Sequence, residues 1–531
     1  MGPEVLTHPG VVREAARRFG LREGLVDRGR RWTFTDIERE VERCARSFIA
    51  LGLNHGDRVA IWAPNSAEWI FAALGAQMVG GVLVPINTRF KAGEAAYVIN
   101  RSGARFLFTE NGFLGVDYLA ELARCDEPTP ILEHRVVIDG LPENGAPDIG
   151  LSWDEFTVAG LAIDDDTLRA REAAVGPDDL CDIIFTSGTT GRPKGVMSLH
   201  HQNVRVFLEW SSIFGVTDSD RYLIANPMFH TFGYKAGFLS CLLRGATMFP
   251  IPVFDVDRVL ELVQSERITT VPGAPTVYIS ILNHPRRADY DLSSLRLAVT
   301  GAAVVPVELI RRLREEMTFQ TIVTGYGLTE STGVISLCRP TDDADTVSRT
   351  SGRSIDGVEV RVVDEDNVEV PRGTAGEIVC RGYNVMPGYF DDPVATAETI
   401  DADGWLHTGD VGTMDERGYL TITDRIKDMF IVGGFNAYPA EIENTLMAHP
   451  AVAQAAVVGR PDERMGEVGH AFVVCRPGVD TDPVTLGEDL VGWCRERMAN
   501  YKVPRGVTVL DALPLNASGK VLKFELRARL G

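Results

Sequence analysis

Short apolar runs recur along the first 300 positions, at 58–62, 82–86, 106–108, 136–138, 183–185, 221–225, 247–249, 269–271 and 297–299, separated by amphipathic stretches. Runs this short and this apolar read as strands buried on both faces. Their alternation with helices predicts an α/β fold with largely parallel sheets. The stretch 69–86 is almost wholly apolar and about long enough to span a bilayer, but it holds Gln77, the Gly80-Gly81 pair and Pro85. The glycine pair divides it into a buried helix ending at Val79 and a buried strand over 82–86, so no integral membrane span is expected. After Gly352 the pattern changes to short strands at 358–363, 376–380 and 419–422 between Gly, Asp and Asn turns, as in a small antiparallel barrel or sheet. A last unit follows Asp424, with helices over 439–448 and 486–499 and strands at 452–458, 471–475 and 507–509. The expected fold class is therefore α/β. It comprises a large N-terminal domain with mostly parallel sheets flanked by helices, a small β-barrel-like subdomain, and a small α+β C-terminal domain.

Length and charge refine that picture. A single core rarely grows beyond about 250–300 residues, so a chain of 531 residues divides into several units. The 53 Lys and Arg against 74 Asp and Glu leave a net charge of −21, which argues against a nucleic-acid partner because such binding needs clustered cations. Eight cysteines without a CxxC pair indicate a reducing compartment and no structural metal, and the N-terminus has neither the basic nor the apolar region of a signal peptide. A cytoplasmic location is expected.

The sharpest chemical signal is Phe185-Thr186-Ser187-Gly188-Thr189-Thr190-Gly191-Arg192-Pro193-Lys194-Gly195, directly after an apolar strand. Glycines let backbone N–H groups converge, hydroxyls add donors, and Lys194 adds a point charge, a combination able to wrap a polyphosphate. A surface loop is the plainer reading. A Walker A motif is absent, since Gly519-Lys520 is followed by Val521, and Gly325-Tyr326-Gly327-Leu328-Thr329-Glu330 does not complete GxGxxG.

Together with Asn226-Pro-Met-Phe-His230, Thr300-Gly-Ala-Ala303, Tyr326-Gly-Leu-Thr-Glu330, Gly404-Trp-Leu-His-Thr-Gly-Asp410, Asp424-Arg-Ile-Lys-Asp428 and Pro514-Leu-Asn-Ala-Ser-Gly-Lys520, this loop resembles the adenylate-forming enzymes. That family includes acyl-CoA synthetases, adenylation domains of peptide synthetases and beetle luciferases. The resemblance covers essentially the whole chain, with the motifs in order. It implies an enzyme, an AMP-forming acid–thiol ligase that makes acyl-AMP from ATP and a carboxylic acid and then passes the acyl group to CoA. In that scheme Thr186 to Gly191 and Lys194 cradle phosphate, Glu330 is the Mg²⁺ ligand, and Thr329 offers its hydroxyl to phosphate. Tyr326 stacks on adenine, Gly301, Ala302, Ala303 and Gly327 let backbone approach the nucleotide, Asp410 accepts the ribose hydroxyls and Arg425 closes over the ribose. Lys520 bridges the acid and the α-phosphate. Lys427 is the hinge position, giving domains 1–424 and 428–531 about a hinge at 425–427, with the C-terminal domain mobile. Gly433 and Gly434 then admit pantetheine. Alone, Asp410 reads as a turn residue, Lys520 as a solvated lysine and Gly433-Gly434 as an ordinary turn.

The acyl pocket is expected at Phe229, His230, Tyr234, Lys235 and Gly325, with His230 as the gate beside the carboxylate. A lysine and a tyrosine entering an apolar helix are unusual for a pocket that holds only an alkyl chain, because an unpaired buried ammonium is costly. Two readings stand: Tyr234 or Lys235 bonds a polar group on a ring-bearing acid, or Lys235 pairs with a protein carboxylate or snorkels outward. The stretch Phe232-Gly-Tyr-Lys-Ala-Gly237, with Val271-Pro-Gly-Ala-Pro-Thr276, resembles actinobacterial ligases of the indane-propionate left from steroid ring breakdown. The substrate implied is a fatty acid or a ring-bearing acid of that kind. Expected partners are the acid, ATP and CoA, with a homodimer as the assembly considered. Rivals are an adenylating enzyme that loads an acyl-carrier protein in trans, and a non-catalytic nucleotide-binding protein. The end of the chain shortly after Lys520 disfavours a fused carrier domain. Since ATP and CoA are both polyanions, an acidic chain must bind them through a few placed cations and backbone N–H groups.

Overall fold

The apolar runs become the parallel strands of two large sheets. In the computed structural model the described residues are 5–140, 150–186, 193–301, 305, 307–425, 428, 430–432, 435–437, 439–462, 465–479, 482–498, 500–515 and 521–530, with the backbone alone at 424, 425, 431, 435 and 436. One sheet has seven strands, in the order Leu151–Ser152, His134–Val137, Ala104–Thr109, Arg58–Trp62, Val82–Pro85, Leu180–Thr186 and Lys194–Leu199. Its pairings are parallel except the last, an antiparallel hairpin formed by Leu180–Thr186 and Lys194–Leu199. The other sheet has nine strands, with Thr321–Tyr326, Leu297–Gly301, Thr270–Pro272, Arg221–Ile224, Thr247–Pro250 and Glu23–Asp27 as its parallel run.

The membrane-like stretch packs between these sheets. All twelve residues of the helix Ala67–Met78 are buried, as an all-round apolar helix requires, and it touches Arg58–Trp62 and Val82–Pro85 in one sheet and Glu23–Asp27 in the other. The Ser66 side chain caps it by accepting from the Trp69 N–H, satisfying one donor of the open first turn. Gly75 sits where a Cβ would lie 2.5 Å from Cys44 Cβ, so glycine permits close approach of the neighbouring helix Phe34–Ala50. The chain reverses at Gly80, whose φ of +86° suits only glycine, and enters the strand Val82–Pro85. Among the described residues no helix is long and apolar enough to cross a membrane.

A four-stranded antiparallel sheet follows: Val358–Val363, Gly376–Gly382, Leu406–Met414 and Leu420–Arg425. The next strand, Phe430–Val432, belongs to a separate five-stranded sheet with Phe435–Ala437, Gly466–Cys475, Val452–Asp462 and Gly506–Val509. That sheet has its own core, built on Phe430, Ile442, Leu446, Val457, Val473 and Leu490. Two elements lack a clear apolar pattern. The hairpin of Glu23–Asp27 and Arg30–Thr33 closes one edge of the nine-stranded sheet although Arg30 and Arg31 face solvent. Leu406–Met414 is a strand despite Gly409 at φ +68°, because its neighbours on both sides supply ladder partners.

Candidate active site

Ligands of open parallel sheets bind beyond the carboxyl ends of the strands, and that is where four of the motifs fall. Gly301 ends one strand and pairs in register with Gly325 on the next, which runs on to Tyr326. A Cβ on Gly301 would meet the Gly325 carbonyl oxygen at 3.1 Å, and one on Gly325 would meet Leu337 Cδ1 at 2.8 Å. Gly327 is tighter still, with Gly333 O only 2.3 Å from where its Cβ would stand. Asn226, just beyond Arg221–Ile224, donates from Nδ2 to Pro272 O at 3.1 Å and so ties two further strand ends together. His230 caps the one-turn helix Thr231–Gly233, its Nδ1 accepting from the Phe232 N–H at 3.2 Å, and Phe229 beside it is half-buried.

Tyr326 reaches from the nine-stranded sheet to the four-stranded one, where its hydroxyl donates to Asp410 Oδ2 at 2.7 Å. Burial, and then the neighbouring carboxylate, push the Tyr326 hydroxyl well above the usual phenol range, so it remains a donor. Asp410 is buried inside a strand, paired in register with Arg425. The backbone therefore gathers Tyr326, Asp410 and Arg425, three residues far apart in the chain.

Thr186 and Lys194 pair across the mouth of the terminal hairpin of the seven-stranded sheet. Thr329 and Glu330 lie in the single turn Thr329–Ser331. A segment without a clear sequence signal joins these two places. Met386 N donates to Glu330 O at 2.8 Å, and Phe390 N to Gly195 O at 2.7 Å. Between them the Tyr389 hydroxyl donates to Glu330 Oε1 at 2.9 Å, while Lys194 Nζ stands 5.0 Å from the centre of the Tyr389 ring. Sequence reasoning missed Tyr389, because Met386-Pro-Gly-Tyr-Phe390 carries no residue pattern that points to phosphate or metal chemistry.

The expected contact of Tyr234 or Lys235 with substrate is corrected. Both are fully buried on the π-helix Tyr234–Leu239. Lys235 Nζ lies 3.0 Å from Asp182 Oδ1 and 3.0 Å from Ser198 Oγ, while Asn203 Nδ2 donates to Asp182 Oδ2 at 2.6 Å. The protein itself supplies the ammonium's counter-charge, which was the second of the two readings. Tyr234 Oη accepts from Gln77 Nε2 at 2.8 Å.

Beside this pair His8, Cys181 and His200 come together, all buried. Gln77 Nε2 also donates to Cys181 O at 3.2 Å, which fixes the amide so that Gln77 Oε1 faces His8 Nδ1 at 2.9 Å. His8 Nδ1 therefore carries the proton, and His200 Nδ1 accepts from the backbone N–H of His8 at 3.2 Å. These contacts make the group a hydrogen-bonded knot. Burial lowers His8 to about 4 and His200 well below the usual histidine range. A separate cleft of about 490 Å³ is lined by Arg28, Arg30, Glu68, Asp139 and Trp153, and none of the expected site residues borders it. Its arginines are paired with Glu110, Asp139 and Glu68.

Ser187, Gly188, Thr189, Thr190, Gly191, Ala302, Ala303, Lys427, Gly433, Gly434 and Lys520 lie outside the described residues. The AMP-binding enzyme family matches residues 12–390, and the AMP-binding enzyme C-terminal domain matches residues 441–520. A relative from Rhodococcus jostii (strain RHA1), named 3-[(3aS,4S,7aS)-7a-methyl-1,5-dioxo-octahydro-1H-inden-4-yl]propanoyl:CoA ligase, is 51% identical over 99% of both chains. A protein of the same name from Mycobacterium tuberculosis (strain ATCC 25618 / H37Rv) is 47% identical, again over 99% of both. Among solved structures, the anthranilate CoA ligase AuaEII in complex with anthranoyl-AMP superposes with a TM-score of 0.86 at 28% identity, covering 100% of this chain and 99% of that one. The chain thus belongs to the AMP-binding enzyme family, as an acid–thiol ligase of its AMP-forming acyl-CoA synthetase kind.

Proposed function

We propose that the protein joins CoA to the propanoate side chain of a bicyclic, steroid-derived indane diketo acid, by way of the acyl-adenylate. The observation that carries this reading is the 51% identity, over 99% of both chains, to the Rhodococcus jostii ligase of that substrate. In the first half-reaction the carboxylate attacks the α-phosphate of ATP and pyrophosphate leaves. The residues must then offset negative charge that builds on the phosphates. Lys194 and the N–H groups of its loop hold the phosphates, Thr329 adds a hydroxyl donor, and Lys520 bridges carboxylate and α-phosphate. Asp410 holds the ribose, Tyr326 packs on the adenine while bonded to Asp410, and Arg425 closes over the sugar. Glu330 is a hard oxygen donor held by the Tyr389 hydroxyl, a chemistry that suits Mg²⁺, and it would hold that ion. Bound Mg²⁺ supplies charge neutralisation on the phosphates.

In the second half-reaction the CoA thiol attacks the acyl carbonyl and AMP leaves, with His230 as the gate between the two steps. The reading divides the chain into domains 1–424 and 428–531 about a hinge at 425–427, with Gly433 and Gly434 beside the pantetheine. The change of sheet between Arg425 and Phe430 supports that boundary. Substrates of this kind, ATP and CoA, suit a cytoplasmic enzyme. Phe229 and Gly325 are assigned to the acyl pocket, and recognition of the ring ketones falls to groups other than Lys235. The test is to incubate the protein with ATP and a panel of acids, including the indane diketo propanoate and plain fatty acids, with and without CoA, and to identify products by mass. The expected product is the indane-propanoyl thioester, formed only with CoA. Acyl-AMP that never transfers to CoA would instead indicate carrier loading, and preference for plain fatty acids would overturn the substrate assignment.

A further inference from the structure

We propose that Tyr389 is a positioning residue that holds the metal carboxylate and the phosphate lysine apart and each in place. The inference rests on the reading of Glu330 and Lys194 given above. Tyr389 is buried, with 8% of its surface exposed, and it presents different faces to two groups of opposite charge. Its hydroxyl donates to Glu330 Oε1 at 2.9 Å, and Lys194 Nζ stands 5.0 Å from its ring centre, within cation–π range. Among the described residues Lys194 and Glu330 form no ion pair with one another. A direct pair would cancel the charge that each must offer to the triphosphate and its ion.

The backbone around Tyr389 fixes this arrangement. Tyr389 forms an antiparallel bridge with Val196, and Met197 N donates to Gly388 O at 3.2 Å, so its segment is stitched to the strand that begins at Lys194. Three residues earlier Met386 N holds Glu330 O, which stitches the same segment to the turn carrying the carboxylate. The Tyr389 N–H itself donates to Thr396 Oγ1 at 2.9 Å, which anchors the segment from behind. A hydrogen bond to a charged group is among the stronger ones, so the hydroxyl restricts the rotamers open to Glu330.

Tyr389→Phe removes the hydroxyl and keeps the ring, whereas Tyr389→Leu removes both and lets Lys194 and Glu330 pair. The readout is equilibrium binding of a non-hydrolysable ATP analogue, followed by calorimetry with EDTA or with Mg²⁺, and of Mn²⁺ followed by electron paramagnetic resonance with the analogue present. Tyr389→Phe is expected to weaken the metal-dependent binding about tenfold, leave the metal-free binding within about twofold, and melt within about 2 °C of the parent. Tyr389→Leu is expected to weaken both modes. KM for the acid and for CoA should stay within about twofold in Tyr389→Phe while KM for the metal nucleotide rises. Glu330→Gln serves as the reference. If it loses metal-dependent binding and Tyr389→Phe does not, the positioning role is overturned and the Glu330 assignment stands. If Glu330→Gln binds metal nucleotide like the parent, the Glu330 assignment fails and Tyr389 has no such role.

Discussion

Lys235 offers the most demanding test of the structural reasoning. Its ammonium and the Asp182 carboxylate are both fully buried, 3.0 Å apart. Lys235→Met removes one charge and leaves the other in a site sealed from water, with Asn203 and, among the described residues, no other paired cation beside it. Breaking a buried pair in this way costs about 3–5 kcal/mol. At about 2 °C per kcal/mol, the low end for domains of 150–250 residues, the melting temperature should drop by about 6–10 °C. The double variant Lys235→Met/Asp182→Asn carries no unpaired charge and should recover at least about half of that loss, about 1.5–2.5 kcal/mol, whereas Asp182→Asn alone strands the ammonium and should cost as much as Lys235→Met. Differential scanning calorimetry on the four proteins measures this, and competition between the indane diketo acid and a plain fatty acid measures selectivity, expected within about twofold of the parent. A Lys235→Met protein that melts like the parent but changes its preference for the keto acid would refute the argument, because Lys235 would then face substrate.

Three further outcomes are expected. Lys520→Ala should lose most pyrophosphate exchange yet still convert pre-formed acyl-adenylate and CoA to thioester, and normal exchange would remove Lys520 from the first step. Lys427→Pro should spare adenylate formation and block thioester formation, read by trapping acyl-AMP in a single turnover, and unaffected thioester turnover would argue against a hinge there. Stability should also fall in mild acid. Buried His8 takes up its proton only near pH 4 in the folded protein but near 6.5 unfolded, so stability present above pH 6.5 is lost as pH drops toward 4. The loss from His8 is about 3 kcal/mol across that window at 1.36 kcal/mol per unit, of which about 2 kcal/mol is reached by pH 5, and urea midpoints at pH 7.5 and 5 measure that part. Gln77 and the Asp182 charge favour protonation of His8 while Lys235 opposes it, and burial outweighs all three. His8→Asn should flatten the profile. An unchanged slope would mean that other groups, His200 first, govern it.

The alternation of short apolar runs with helices was enough to predict parallel sheets, because a strand buried on both faces has few polar positions to disguise it. The change to antiparallel strands after Gly352 was legible from the Gly, Asp and Asn turns that separate its short strands. The hairpin of Glu23–Asp27 and Arg30–Thr33 was not, since an edge strand with one wet face carries arginines and little pattern. Motif order supplied the family and the residue types suited to phosphate, metal and ribose. It could not show that the Tyr326 hydroxyl bonds Asp410, which depends on how two sheets meet.

What the sequence alone determined is the kind of chemistry and the kind of layers, because both are written in local residue patterns. What only the tertiary structure decided is the assignment of partners. Lys235 could have met substrate or a protein carboxylate, and it is Asp182, 53 positions away on the strand Leu180–Thr186, that stands 3.0 Å from its ammonium. Tyr389 belonged to no motif read from the sequence, and folding sets it between Lys194 and Glu330. The physical reason is common to both: a charge or a hydroxyl acts over a few ångströms of space, and separation along the chain says little about who occupies them.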